Sequence, residues 1–395
     1  MSAIKYWLWL STAARVSPRA KKALLEHYGG PEEMYFAPVG EMSRLLGDKS
    51  EGMEILEKRD LDAALRIIDR CDSQGIRLIT AQDAAYPDRL KNIYAPPTVL
   101  YIKGEMPAID DEAAIAIVGT RGASPYGIKM GMKLGYEIAS CGGLVVSGLT
   151  KGIDAAGAEG ALRAGGRCVG VLGTDHEHAK GRLFDDVAAK GVLISEYPPG
   201  TEPYRSYFRA RNRIAAGLSV GVVVVEAPET SGARLFANEA ADQGKEIFAV
   251  PGNADAANCA GTNALLKEGA KPVTEGWEVL SEFEAMYPSR IRRVKDLKSP
   301  KPPEKPEKEP EKPEKPPEKL IKTEHIDLRA QLEGLSETQM KLVSLMDEPS
   351  VHVDDLIEKS GLSPAKVLAD LTLLQLKGYV SQETGKRFTL NIKAK

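Results

Sequence analysis

AIAIVGTRGASPYG, residues Ala114–Gly127, decides the class of fold. Five apolar residues run into Gly119, a short polar turn follows, and Pro125 suits the first turn of a helix. A strand with one wet face alternates apolar and polar residues. A continuous apolar run is instead how a strand buried on both faces of a parallel sheet reads. The same pattern returns in LVVSGL (144–149), RCVGVLG (167–173), GVLISEY (191–197), VGVVVVEA (220–227) and EIFAVPG (246–252). Helix-length segments lie between these runs, long enough for right-handed crossovers. The expected class is α/β, an extended Rossmann-like doubly wound sheet over residues 106–288.

Outward from this core the chain changes character. Residues 1–105 read as a helical N-terminal domain, from YWLWL, the spacing over Ala20–Tyr28 and MEILEKRDLDAALRIIDRC, with IRLITAQD and TVLYIKG as connecting strands. SPKPPEKPEKEPEKPEKPPEK (Ser299–Lys319) holds almost nothing but Pro, Glu and Lys. Such a stretch has no side chain to bury and stays extended and solvated, so residues 289–322 are expected to be a semi-stiff linker. Residues 323–395 suggest three helices and a β-ribbon turning at Gly385, a winged helix-turn-helix. Ser336 with Gln339 marks one helix start, Gly361 one helix end, and Ser363-Pro364 another start.

Composition narrows the function classes. A net charge of -3 in 395 residues excludes a histone-like polycation but allows a local basic groove. Cys71, Cys141, Cys168 and Cys259 never fall at C-x-x-C spacing, so buried free thiols in a reducing cytosol are expected. The N-terminal apolar run is too short to span a bilayer, and a cytoplasmic protein without a membrane segment follows.

In an open parallel sheet, ligands bind beyond the carboxyl ends of the strands. After these strands come VGTRGASPYG (118–127), SGLTKGID (147–154), PPGTEPYRSYFRARNR (198–213), EAPETSGA (226–233) and PGN (251–253). Glycines let backbone amides approach an anion, helix starts face it with their positive dipole ends, and arginines add forked donors. Taken singly, Gly119 and Gly148 also read as strand terminators, Arg209 as the partner of a surface acid, and Asp154 as a helix cap. Five loops together favour an anion site. The first loop is not G-x-G-x-x-G and the second strand ends in Ser147 rather than an acid, so a nicotinamide cofactor is not expected. Tyr126, Tyr204, Tyr207 and Phe208 lie among these loops and supply flat faces of the kind that stack bases, with Phe208 reading most as core.

The ordered set VGTRGASPYG, SGLTKGID, PPGTEP, FRARNRIAAGLS, VVVEA, SGA, AVPGN and GTNALLKEGA closely resembles the DprA/Smf family of DNA-processing proteins, over about Pro97–Gly276. That resemblance implies a protein that binds single-stranded DNA, protects it and loads RecA onto it in natural transformation and recombination. It also implies a homodimer, a sterile-alpha-motif-like helical domain before the core and a winged helix after it. Carried over by motif, the DNA contacts are Arg121, Ser124, Ser147, Gly148, Lys151, Arg209, Arg211, Asn212, Arg213 and Lys267. No catalytic residue, cofactor or metal is implied. The chain departs from the family pattern at Ala158, at Arg209, at Arg234 and Phe236 in SGARLFA, and in DHEHAKGR (175–182). Arg209 and Arg234 are candidates for additional phosphate contacts.

Asp175, His176 and His178 are too few for a structural metal site. A nucleotide N-glycosidase on a related fold would use an acid such as Glu226 or Glu239, but its P-G-G-x-G-T loop is APETSGA here and no nucleophile–base pair stands out. The C-terminal domain carries little basic clustering, only Lys366 and Lys377 against Asp370 on its recognition helix, which favours protein interaction or weak DNA contact.

Overall fold

The computed structural model describes residues 3–13, 16–47, 51–294, 335–346, 351–376, 379–383 and 387–390. The chain divides into two compact units, Met1–Pro306 and Glu307–Lys395. Most of the Pro/Glu/Lys linker and the turn at Gly385 lie outside the described residues.

The first unit is built on a nine-stranded sheet. Its strands are β1 (Arg77–Thr80), β2 (Val99–Gly104), β3 (Ala114–Val118), β4 (Leu144–Ser147), β5 (Cys168–Val171), β6 (Val192–Ser195), β7 (Gly221–Val224), β8 (Glu246–Ala249) and β9 (Lys271–Pro272). Their spatial order is β1-β2-β6-β5-β4-β3-β7-β8-β9. From β6 to β9 every pairing is parallel, while β1–β2 and β2–β6 are antiparallel. The six continuous apolar runs are β3 to β8. Alternate residues of each face opposite cores: Ala114, Ala116 and Val118 enter one cluster, Ile115 and Ile117 the other. Both isoleucines are fully buried, and each such side chain contributes roughly 1.5–3 kcal/mol.

The chain winds outward from β3 through β4 and β5 to β6, then crosses back to β7 on the other side of β3. Val118 and Val224 are neighbours at the carboxyl ends of β3 and β7. This reversal opens the crevice that such sheets use for ligands.

Two boundaries differ from the sequence expectation. Strands β1 and β2, assigned to the N-terminal domain, extend the core sheet, with Tyr101 opposite Ser195. Ile291, assigned to the linker, is buried in the core, and the Arg292 amide donates to the Cys141 carbonyl at 2.9 Å. Before β1 the chain is helical from Ile4 to Ser73 in short segments. Ser17 caps the helix Pro18–Tyr28, and Gly29 at φ 83° ends it. The first helix, Ile4–Thr12, buries five consecutive residues because it has cores on two sides. Trp9 and Leu10 pack with Leu24, Met34 and Met53, whereas Trp7 and Leu8 pack with Val99 and Tyr101. No helix among the described residues is long and apolar enough to cross a membrane.

The second unit contains helices Glu337–Ser344, Val353–Ser360 and Pro364–Leu376. Strands β10 (Val351–His352), β11 (Val380–Glu383) and β12 (Arg387–Leu390) pair antiparallel in the order β10-β12-β11. Ser336 and Gln339 form a capping box, and Gly361 ends its helix at φ 66°. Leu342, Leu356, Leu371 and Phe388 share its core. This is the winged helix, with β10 an addition that the sequence did not announce.

Candidate nucleic-acid interface

The loop after β3 is braced before it can bind anything. A Cβ at position 119 would stand 2.4 Å from Ile153 Cγ1 and 2.9 Å from the Glu226 carbonyl, so only glycine lets the backbone pass there. Ser124 caps the helix Pro125–Ser140, receiving the Gly127 amide at 3.1 Å. The Ser124 amide at 2.9 Å and its hydroxyl both donate to the carboxylate of Glu226, just past β7. Glu226 is almost fully buried. The acid singled out for the glycosidase reading thus ties two loops together across the switch point.

The loop after β4 is organised around Asp154, in the first turn of helix Ile153–Arg163. Its carboxylate accepts the Thr150 hydroxyl at 2.9 Å and the Gly119 amide at 3.4 Å. Ser147 is buried, donates to the Asp154 carbonyl at 2.8 Å and accepts the Leu149 amide at 3.1 Å. Burial pushes the Asp154 carboxyl above its ordinary range, and the Arg211 guanidinium, with the Thr150 and Gly119 bonds, pulls it back. Arg211 itself is 5 % exposed and its Nη1 donates to the Val171 carbonyl at 2.7 Å. Its own affinity for the proton is lowered by burial and restored in part by Asp154. A Cβ at Gly148 would fall 1.9 Å from Arg211 Nη1, so that glycine exists to make room for the guanidinium.

Two exposed cations come from the segment after β6. Helix Arg205–Ala210 presents Arg205, Phe208 and Arg209 to a cavity of about 700 Å³. Val118–Arg121, Thr150, Asp154, Arg211, Asn212 and the start of helix Gly232–Asp242 complete its wall. A second cavity of about 300 Å³ adjoins it, lined by Gly148, Lys151, Gly173 and His178 among others. Arg121, Thr150 and Phe208 belong to both. Phe208 rests against Gly173, where a Cβ would be 2.8 Å from its ring, and the Arg121 guanidinium lies 5.4 Å over its face.

Of the carried-over residues, Arg121, Arg209, Arg211 and Asn212 therefore meet in the larger cavity, and Gly148 and Lys151 join Arg121 in the smaller one. Ser124 and Ser147 line neither and hold loops. Arg213 requires correction: its Nη2 pairs with Glu196 at 2.5 Å and its Nε donates to the Ala95 carbonyl at 3.0 Å, on the far side of the segment from Arg211. Lys267 is exposed at the end of helix Ala260–Lys267 and lines neither cavity. Arg234 is committed to Glu268. Phe208, read as core, is half-buried and forms the shared wall. Arg205 escaped notice, although it lies four residues before Arg209 and so shares its helical face. Thr120 and Thr150, which also line the wall, carried no signal beyond their place after a strand.

The DHEH loop has a structural task. Buried Asp175 accepts the amides of Gly200 at 2.6 Å and Thr201 at 3.1 Å, fastening the loop after β6, and its carboxylate also binds His178 Nδ1 at 2.6 Å. His176 is buried with Nε2 2.9 Å from the Tyr101 carbonyl. In the second unit Lys366 is tied to buried Asp370 at 3.1 Å, and Lys377 lies outside the described residues.

Known proteins share the sequence and fold of this chain. Residues 77–284 match the family described as DNA recombination-mediator protein A, and residues 327–386 match the DprA winged helix domain. The chain is 38% identical over 222 residues to the DNA processing protein DprA of Bacillus subtilis, covering 55% of this chain and 75% of that protein. It is 29% identical over 397 residues to Protein Smf of a Synechocystis species, covering 97% and 98%. Among solved structures, DNA processing protein A from Streptococcus pneumoniae superposes with a TM-score of 0.61 at 31% identity, over 72% of this chain and 99% of that one.

Proposed function

The chain belongs to the DNA recombination-mediator protein A (DprA/Smf) family, and on that premise we propose that it binds single-stranded DNA along the carboxyl-end rim of its sheet. In this reading it protects incoming DNA and delivers it to RecA during natural transformation, working as a homodimer in the cytoplasm. The observation that carries the DNA-binding proposal is the pair of adjoining cavities joined by Arg121 and Phe208.

A single strand needs cations for its phosphates and flat faces for its bases. Arg121, Arg205 and Arg209 are exposed in the larger cavity and Lys151 in the smaller. Phe208 lies between them, beside Gly173 and beneath the Arg121 guanidinium. Two cavities sharing one aromatic wall suit successive nucleotides better than one compact cofactor. Buried Arg211 acts from beneath: it offsets the Asp154 charge and keeps the floor of the site from repelling phosphate.

The test is a titration of oligo-dT and of duplex DNA of equal length at several salt concentrations. Tighter binding to the single strand, weakening steeply with salt, is the expected result. Equal affinity for both forms, or binding indifferent to salt, would contradict the proposal.

A further inference from the structure

A larger cavity, of about 750 Å³, lies between the N-terminal helices and the core of the same unit. Ligand sites of small molecules run from about 300 to 1,000 Å³ and are mostly apolar with a few placed polar groups. This cavity has that character. Trp7, Leu25, Tyr86 and Pro97 supply apolar walls. Tyr197 and Tyr207, stacked at 4.1 Å and 19°, form a flat aromatic side. Tyr207 and Phe208 are consecutive residues of one helix, yet line different cavities.

The polar groups are mostly spoken for. Arg213 is held by Glu196 and the Ala95 carbonyl, Lys22 pairs with Glu26 at 3.8 Å, and Lys91 pairs with Asp88 at 2.7 Å. Lys21 is the exception. Its ammonium has three donors, and among the described residues its one hydrogen bond is a long one, 3.4 Å to the Ser11 carbonyl. It stands where the helix Pro18–Tyr28 meets the cavity.

We propose that this cavity is a second ligand site, taking a small molecule with a planar apolar body and a single anionic group that pairs with Lys21. The aromatic side receives the planar body, and the anion completes the coordination of the ammonium. The site shares no lining residue with the two cavities of the DNA-binding rim, so the two readings stand or fall separately.

Burial lowers the Lys21 ammonium to about 8 against the pull of Glu196. The other charged groups lining the cavity are Lys91 and Arg213 from the core and Lys22 and Glu26 from the Lys21 helix. The phenols of Tyr86 and Tyr197 are pushed upward by burial and keep their protons through this range. An anion therefore binds the cationic form and is lost as pH rises through about 8.

The probe is 8-anilinonaphthalene-1-sulfonate, an aromatic body with one permanently ionised sulfonate, followed by fluorescence titration of the full chain. Saturable binding at pH 7 is expected, weakening by about tenfold or more at pH 9.5, as suits loss of one charge-assisted contact. Lys21→Met weakens the pH 7 binding by a similar factor. Lys21→Arg, which stays cationic, binds alike at both pH values and decides the matter even if the methionine variant folds poorly. Absence of saturable binding, equal affinity of the wild type at pH 7 and 9.5, or the same pH dependence in Lys21→Arg would each overturn the proposal.

Discussion

Replacing Arg121 by alanine separates the rim from the rest of the molecule's basic surface. The Arg121 side chain is exposed, lies over Phe208 and lines both adjoining cavities. Its removal takes away one charge-assisted contact to phosphate, a loss of about 1.5–3 kcal/mol. At about 1.4 kcal/mol per decade this is roughly a ten- to hundredfold weaker complex. One phosphate contact fewer also flattens the slope of log affinity against log salt by about 0.7 for a single strand. Fold stability should hardly move, because no buried partner is left behind. The controls come from the same set of motif-derived DNA contacts. Arg213→Ala removes an internal pair with Glu196, so it should lower the melting temperature and leave the salt slope unchanged. Lys267→Ala, on a residue that lines neither cavity, should change neither. Gel-shift titrations with oligo-dT at four salt concentrations, beside thermal melts, read both quantities. If Arg213→Ala flattens the slope as much as Arg121→Ala, or if Arg121→Ala leaves it intact, the placement of the DNA on this rim is wrong.

Other outcomes follow from the buried pair beneath the site. Arg211→Met leaves the Asp154 carboxylate uncompensated, a cost of about 3–5 kcal/mol at pH 7. Burial raises the Asp154 carboxyl, so the native state takes up its proton before the unfolded chain does, and stability lost as pH rises is regained on acidification. The melting-temperature gap to wild type should therefore narrow from pH 7 to pH 5, and a constant gap would argue against compensation. Gly148→Ala pushes a methyl into the Arg211 guanidinium and should cost about 1–3 kcal/mol in denaturant unfolding; a neutral effect would show that Arg211 is free to move. A fragment of residues 1–294 should melt like the same unit in the full chain, since among the described residues its core clusters draw nothing from beyond Val294; a large drop would reveal packing across the linker. The thiol of Cys168, fully buried and pushed up to about 12 by burial, should label with a thiol reagent only on unfolding, and rapid labelling of the native chain would contradict its burial.

How far a sequence reading reaches depends on whether a feature is local. Runs such as AIAIV and GVVVV declare strands buried on both faces, and they do so from composition and order alone, because only a two-sided core tolerates five apolar residues in succession. The polar loops after them follow from chain direction, which sets every one of them on the carboxyl rim. The family motif likewise picks out Arg121, Lys151, Arg209 and Asn212, all of which line one of the two adjoining cavities. What the sequence left undecided was the direction of each side chain. Arg211 and Arg213 lie two residues apart along a helical path, so they point about 200° away from each other. Nothing in FRARNR says which of them faces the cavity, because that depends on the helices and loops packed around the segment. Tertiary packing turned Arg211 toward Val171 and Asp154 and Arg213 toward Glu196. It likewise made Phe208 a wall between two cavities, drew β1 and β2 onto the sheet edge and set Lys21 in a cavity of its own. Periodicity and chain order belong to the one-dimensional string; burial and partnership arise only when distant segments exclude water from one another.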